Sequence, residues 1–106
     1  KAYGAFFLTD FPKELRAYAR LSSDKYCSAQ RFELIINGVE VANGYHEVID
    51  PTEQQHCFEI DNETRLRRGL TPTKIDEGWI AALNRGMPAC SGVAVGLERL
   101  QMVLDE

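Results

Sequence analysis

Glu33-Leu34-Ile35-Ile36-Asn37-Gly38-Val39-Glu40-Val41-Ala42-Asn43-Gly44-Tyr45-His46-Glu47-Val48-Ile49-Asp50 is the stretch on which the fold turns. It sets the carboxylates of Glu33, Glu40 and Glu47, together with Asn43, among Ile, Val and Ala. Carboxylates are costly to bury unless a cation or donor meets them, so the run asks for such partners nearby. Positions 40, 43 and 47 share one face of a helix, but the odd step from 40 to 43 divides them on a regular strand. β-Branched Val39, Val41, Val48 and Ile49 nevertheless favour strands, and Gly38 and Gly44 would each cost a helix about 1 kcal/mol. Asn37-Gly38 predicts a two-residue hairpin turn. A bulge or kink at Asn43-Gly44 is then expected to return Asn43 and Glu47 to the Glu40 face, with Glu33 facing them from the partner strand. An ordinary hairpin with solvated glutamates fits the same spacing.

Upstream, Ala5–Leu8 is a short apolar run that predicts a buried strand, ended by Thr9-Asp10-Phe11-Pro12 because a residue before proline is pushed away from helix. Residues 13–21 fit one or two helical turns or an irregular connection, and polar residues 22–30 predict a loop. Downstream, Asp50-Pro51-Thr52-Glu53 is a helix start with an approximate capping box. The helix should run to about Arg68, stop at Gly69, and bury Cys57, Phe58, Ile60 and Leu66. Its charged face of Glu59, Glu63 and Arg67 reads as solvated, and His56 beside Cys57 lacks metal-ligand spacing. After a connector at 70–74, Asp76 should cap a second helix to about Arg85, with Trp79, Ile80 and Leu83 inward and Gly86 as its stop. Ser91–Gly96 predicts a small-residue strand, and residues 97–104 a helix with Leu97, Leu100, Val103 and Leu104 on one side.

The chain has 106 residues, 44% of them apolar, enough for one small domain with a core, which excludes a disordered chain. Twelve basic and sixteen acidic residues give a net charge of −4, which argues against a general nucleic-acid surface but not against a local cationic site. No apolar run approaches a membrane span and no signal peptide is evident. Cys27, Cys57 and Cys90 form no CxxC pair and read as free thiols of a reducing, cytoplasmic compartment. Lacking an initial methionine and ending in mid-pattern, the sequence reads as a piece of something longer.

A second signal lies in Ser91-Gly92-Val93-Ala94-Val95-Gly96-Leu97-Glu98-Arg99. Glycines admit a ligand to the backbone, and a helix N-terminus favours phosphate. Arg99 in the first turn opposes the helix dipole, which a nearby polyphosphate would explain. Close strand–helix packing explains the glycines equally well.

Together the two stretches are recognisable. R-F-E-x-x-x-x-G-x-E-x-x-N-G-x-x-E-x-x-D, a long helix, and then G-V-A-V-G-L-E-R resemble the C-terminal half of a class II aminoacyl-tRNA synthetase catalytic domain of the lysyl type. E-x-A-N-G-Y-H-E-x-x-D at 40–50, E-Q-Q-x-x-F-E-x-D-N at 53–62 and M-P-x-C-S-G-V-A-V-G at 87–96 are most similar to the truncated branch of that family, in which β-lysine is ligated to translation elongation factor P. The resemblance implies an α+β fold, an antiparallel sheet with flanking helices, over residues 1–106. It places motif 3 at 96–99 and motifs 1 and 2 outside the chain, so these residues alone should be inactive. It implies ATP and magnesium as cofactors, and a homodimer for the full-length protein. Glu33 and Glu40 would hold the metal. Glu40, Val41, Gly96 and Arg99 would surround ATP, with Glu40 and Arg99 serving catalysis. Asn43 would bind the amino-acid end of the substrate, Tyr45 would pack along its alkyl chain, and Glu47 would pair with its side-chain ammonium. Ala94, where lysyl-tRNA synthetases carry glycine, would favour β-lysine over α-lysine. A lysyl-tRNA synthetase acting on tRNA, and a non-catalytic synthetase-like binding module, are the alternatives.

Overall fold

Asn37 and Gly38 both take positive φ, 49° and 81°, the backbone of a type I′ turn whose twist matches the strands it joins. β2 (Ala29–Ile36) and β3 (Val39–His46) leave this turn as an antiparallel hairpin. β1 (Ala5–Phe11) pairs with β2, and β4 (Ser91–Val95) with β3, giving a four-stranded antiparallel sheet in the order β1-β2-β3-β4. Helices α1 (Pro51–Arg67) and α2 (Glu77–Asn84) fall between β3 and β4 in sequence, and α3 (Leu97–Leu104) follows β4. The class is α+β, as expected. The computed structural model describes residues 4–105. They form two compact units: the described residues up to Glu47 with those from Cys90 onward, and Val48–Ala89. No described helix is long and apolar enough to cross a membrane.

In the sheet unit, Ile35 pairs with Glu40 but Leu34 pairs with Ala42, so Val41 is an extra residue in β3. The bulge therefore lies at Val41, not at Asn43-Gly44 as the sequence suggested. It lets two successive apolar residues, Val41 and Ala42, both be buried. Gly44 needs no bulge. It pairs with Phe32, whose ring fills the place of its missing side chain, and a Cβ there would collide with that ring and come within 2.8 Å of the Gly92 carbonyl oxygen. Phe7 meets the same ring edge-on, with centroids 6.0 Å apart.

β1 differs from expectation. It continues to Phe11, past a register irregularity at Asp10, whose φ is 57°. It is also not buried: Phe6, Phe7 and Leu8 are 46–61% exposed, because β1 is an edge strand flanked on one side only. The following connection is a single 3-10 turn at Lys13–Leu15, then irregular chain held by isolated bridges Ala19–Glu47 and Leu21–Ala29. Ala19 and Ala29 are completely buried. The polar loop ends at Ser28, since Ala29 and Gln30 belong to β2. α3 packs against β3, but its expected apolar stripe is largely uncovered: Leu100 and Val103 are half-buried while Leu97 and Leu104 stay exposed.

In the other unit, Asp50 caps α1 by accepting from the Thr52 N–H at 3.0 Å. Gly69, at φ 73°, follows the C-cap, as a left-handed stop requires. The connector is pinned by Asn62, which donates to the Thr73 carbonyl at 2.9 Å and accepts from its N–H at 2.8 Å. Asp76 caps α2 through the Trp79 N–H at 2.9 Å. α1 and α2 pack together, with Gln54, Cys57 and Leu83 buried. Ile60, Leu66 and Trp79, all expected inward, are exposed. On α1 Cys57 is buried as expected, and Gln54, about one helical turn before it, joins it.

Candidate functional site

The Val41 bulge sorts the charged residues. Paired residues on adjacent strands share a sheet face, as do residues two apart on one strand. Glu33 pairs with Asn43, and Arg31 with Tyr45. Glu40 pairs with Ile35, two residues from Glu33, so Glu33, Glu40, Asn43 and Tyr45 lie on one face. Ala94 and Gly92 of β4 join them as the partners of Asn43 and Tyr45. Glu47, two beyond Tyr45, arrives on the same face with its carboxylate over Gly92, so tightly that a Cβ on Gly92 would collide with it. Glu33, Glu40, Asn43, Tyr45 and Glu47 are all half-buried, while Ala94 is exposed.

Glu33 and Glu40 are thus on one face but not opposite one another, being offset by two pairs along the hairpin. Among the described residues no group of three or more His, Cys, Asp or Glu side chains could cage a metal. Glu33 Oε1 accepts from Arg31 Nη2 at 2.9 Å, so magnesium, which commonly takes one or two protein oxygens alongside substrate phosphates and water, would be left with Glu40 and the second Glu33 oxygen.

α3 begins at the same end of β3. The Gly96 N–H donates to the Val41 carbonyl at 2.8 Å, and Arg99 Nη1 donates to the Glu40 carbonyl at 3.0 Å. The bulge carbonyl and its predecessor therefore fix both the helix start and its first-turn arginine. A Cβ on Gly96 would meet the Val41 carbonyl oxygen and the Arg99 side chain at ordinary contact distance, 3.5 Å. Val41 contributes backbone here, since its side chain is buried.

Arg31 was not anticipated. Its Nε donates to Asn43 Oδ1 at 3.1 Å, Nη2 to Glu33 Oε1 at 2.9 Å and Nη1 to the Leu15 carbonyl at 2.8 Å. Its guanidinium lies 4.6 Å from the Phe11 ring centroid and 5.8 Å from that of Tyr45. Asn43 Nδ2 in turn donates to the Tyr45 hydroxyl at 3.1 Å. The signal in the sequence was the arginine two before Glu33, which strand alternation puts on the carboxylate face. The cysteines Cys27, Cys57 and Cys90 are free thiols, as read from their spacing.

One sheet face thus gathers acidic groups, an amide and a phenol, with a first-turn arginine at its edge. A family model for tRNA synthetases class II (D, K and N) matches residues 1–106. Two curated relatives are named Elongation factor P--(R)-beta-lysine ligase. The protein of Hamiltonella defensa subsp. Acyrthosiphon pisum (strain 5AT) is 47% identical over 97 residues, 92% of this chain and 30% of its own length. The protein of Vibrio vulnificus (strain YJ016) gives the same figures, 47% over 97 residues, 92% and 30%. The chain therefore spans about 30% of the length of these relatives. With a family match along its whole length and an α+β sheet that joins the two sequence signals at one face, this chain belongs to the class II tRNA synthetases of the D, K and N group.

Proposed function

We propose that the full-length protein activates a lysine-type amino acid, β-lysine, with ATP and ligates it to a lysine of elongation factor P. The observation that carries this reading is the convergence of Glu33, Glu40, Asn43, Tyr45 and Glu47 on one face, beside Arg99 at the start of α3. The names of the two relatives support the substrate and the acceptor.

In the proposed reaction the amino-acid carboxylate attacks the α-phosphorus of ATP and pyrophosphate leaves. A lysine amine then attacks the acyl carbon of the adenylate, forming the amide as the acyl–phosphate bond breaks, AMP leaves and the amine gives up a proton. Glu47, half-buried and set over Gly92, receives the side-chain ammonium, a pairing stronger than a neutral hydrogen bond. Asn43 binds the other end of the amino acid, and Tyr45 lines the alkyl chain between them. Arg99, anchored to the Glu40 carbonyl by one terminal nitrogen, has donors left for phosphate oxygens. Glu33 and Glu40 would hold magnesium, which when bound neutralises charge on the phosphates. The residues thus act by positioning and charge stabilisation.

The test is ATP–pyrophosphate exchange by the full-length protein with α-lysine and with β-lysine. Exchange that depends on a lysine-type amino acid and is faster with β-lysine is expected. Exchange with neither would overturn the reading. Glu40→Gln should depress exchange far more than folding stability.

A further inference from the structure

Arg31 touches three separate segments at once: Asn43 on β3, Glu33 on its own strand, and Leu15 in the 3-10 turn. A guanidinium has donors and no acceptor. The Asn43 atom that faces Arg31 Nε at 3.1 Å must therefore be the oxygen. The Tyr45 hydroxyl at 3.1 Å from Nδ2 imposes nothing, because a phenol donates or accepts as needed. Arg31 alone decides which way round the amide sits.

We propose that Arg31 is a positioning residue that fixes the hydrogen-bond polarity of Asn43, so that this sheet face offers an N–H, and not an oxygen, to the ligand. The second hydrogen on Nδ2 has no partner among the described residues. The oxygen is already engaged by a cation, so an ammonium placed there would sit beside the guanidinium and be repelled. An acceptor such as a carboxylate is matched. The guanidinium is itself held rigid. Glu33 balances its charge at 2.9 Å, the Leu15 carbonyl takes one terminal nitrogen at 2.8 Å, and the Phe11 ring covers one face. The inference rests on the proposed role of Asn43 in amino-acid binding, and the experiment separates the two.

The full-length protein is labelled with 15N-asparagine, and the Asn43 side-chain amide is followed by NMR in the wild type, Arg31→Met and Arg31→Lys. In the wild type the two Nδ2 hydrogens should be well separated. In Arg31→Met they should move to the positions of a solvent-exposed asparagine amide, whose two hydrogens stay distinct but are closer together, and Arg31→Lys, which keeps a cation and most of the stem, should lie between. Calorimetry with α-lysine and β-lysine then closes a double-mutant cycle. Arg31→Met should weaken binding about 10-fold with Asn43 present and about 2-fold or less in the Asn43→Ala background. An unchanged Asn43 signal in both Arg31 variants, or an equal loss in both backgrounds, would overturn the proposal. If Asn43→Ala leaves amino-acid affinity unaltered, the substrate reading fails instead, and the NMR readout still decides whether Arg31 orients the amide.

Discussion

The Glu47 carboxylate occupies the space that a side chain at residue 92 would need, so Gly92 of β4 and Glu47, the residue after β3, form one structural unit. Gly92→Ala should leave the β3–β4 pairing intact yet displace the carboxylate. Overpacking of this kind costs about 1–3 kcal/mol, here read as lost affinity for a lysine-type amino acid in calorimetry on the full-length protein. Unchanged affinity would separate Glu47 from the substrate.

Glu47→Gln asks the same question by charge. Removing one partner of a desolvated ion pair strands the other, so binding should weaken by roughly 3–5 kcal/mol. A solvated glutamate would instead change stability by about 0.5 kcal/mol or less and leave binding untouched.

Ala94 is the β4 partner of Asn43, so its methyl group lies on the Asn43 face of the sheet, proposed above to bind the amino acid. β-Lysine carries its amine one carbon further from the carboxylate than α-lysine and can avoid that methyl. Ala94→Gly in the full-length protein should raise exchange with α-lysine and leave β-lysine nearly unaffected. Discrimination should fall by roughly 5- to 150-fold, the equivalent of about 1–3 kcal/mol. Equal loss with both substrates would make Ala94 a packing residue only.

Gly44→Ala should destabilise the fold by about 1–3 kcal/mol in urea denaturation, because the new methyl meets the Phe32 ring and the Gly92 carbonyl together. Shrinking the ring with Phe32→Leu in the same chain should recover part of that loss. Failure to recover any of it would place the conflict at the carbonyl.

Asp24 closes the 22–28 loop by accepting from the Ser22 hydroxyl at 2.9 Å and from the Tyr26 and Cys27 N–H groups at 3.0 and 3.1 Å. The Ser22 bond does most to hold this carboxyl below its ordinary value, opposed by desolvation and aided by the two N–H groups. A depressed folded value means that the support is present above the unfolded carboxylate value and is lost as pH falls through the folded one. The Tyr26 and Cys27 amide resonances should therefore shift with an inflection below that of a free aspartate, and Asp24→Asn should remove the inflection.

The hairpin turn was legible because Asn37-Gly38 is a local signal: two left-handed residues suffice, whatever surrounds them. The caps at Asp50 and Asp76 were legible for the same reason. The need for an irregularity between Glu40 and Glu47 was also visible, but its place was not. Gly44 looked like the natural site for a bulge, whereas its smallness serves Phe32 on the neighbouring strand, a contact that only the register reveals. Arg31 stayed hidden because its role depends on Leu15 and Phe11, both distant in sequence. The apolar run of β1 and the stripe of α3 misled because patterning reports which residues can be buried, not what arrives to cover them.

The extra residue at position 41 places an unusual constraint on change along this chain. Between Glu40 and Asn43 the pairing register matters more than the identity of the residues, provided that the two interior side chains stay small and apolar. Closing the bulge with no residue lost, so that Val41 rather than Ala42 paired with Leu34, would rotate everything after it by half a pleat. Asn43, Tyr45 and Glu47 would turn away, and Ala42, Gly44 and His46 would take their places. A one-residue slip of register would thus exchange an acidic, hydrogen-bonding face for a nearly featureless one without removing any of its residues.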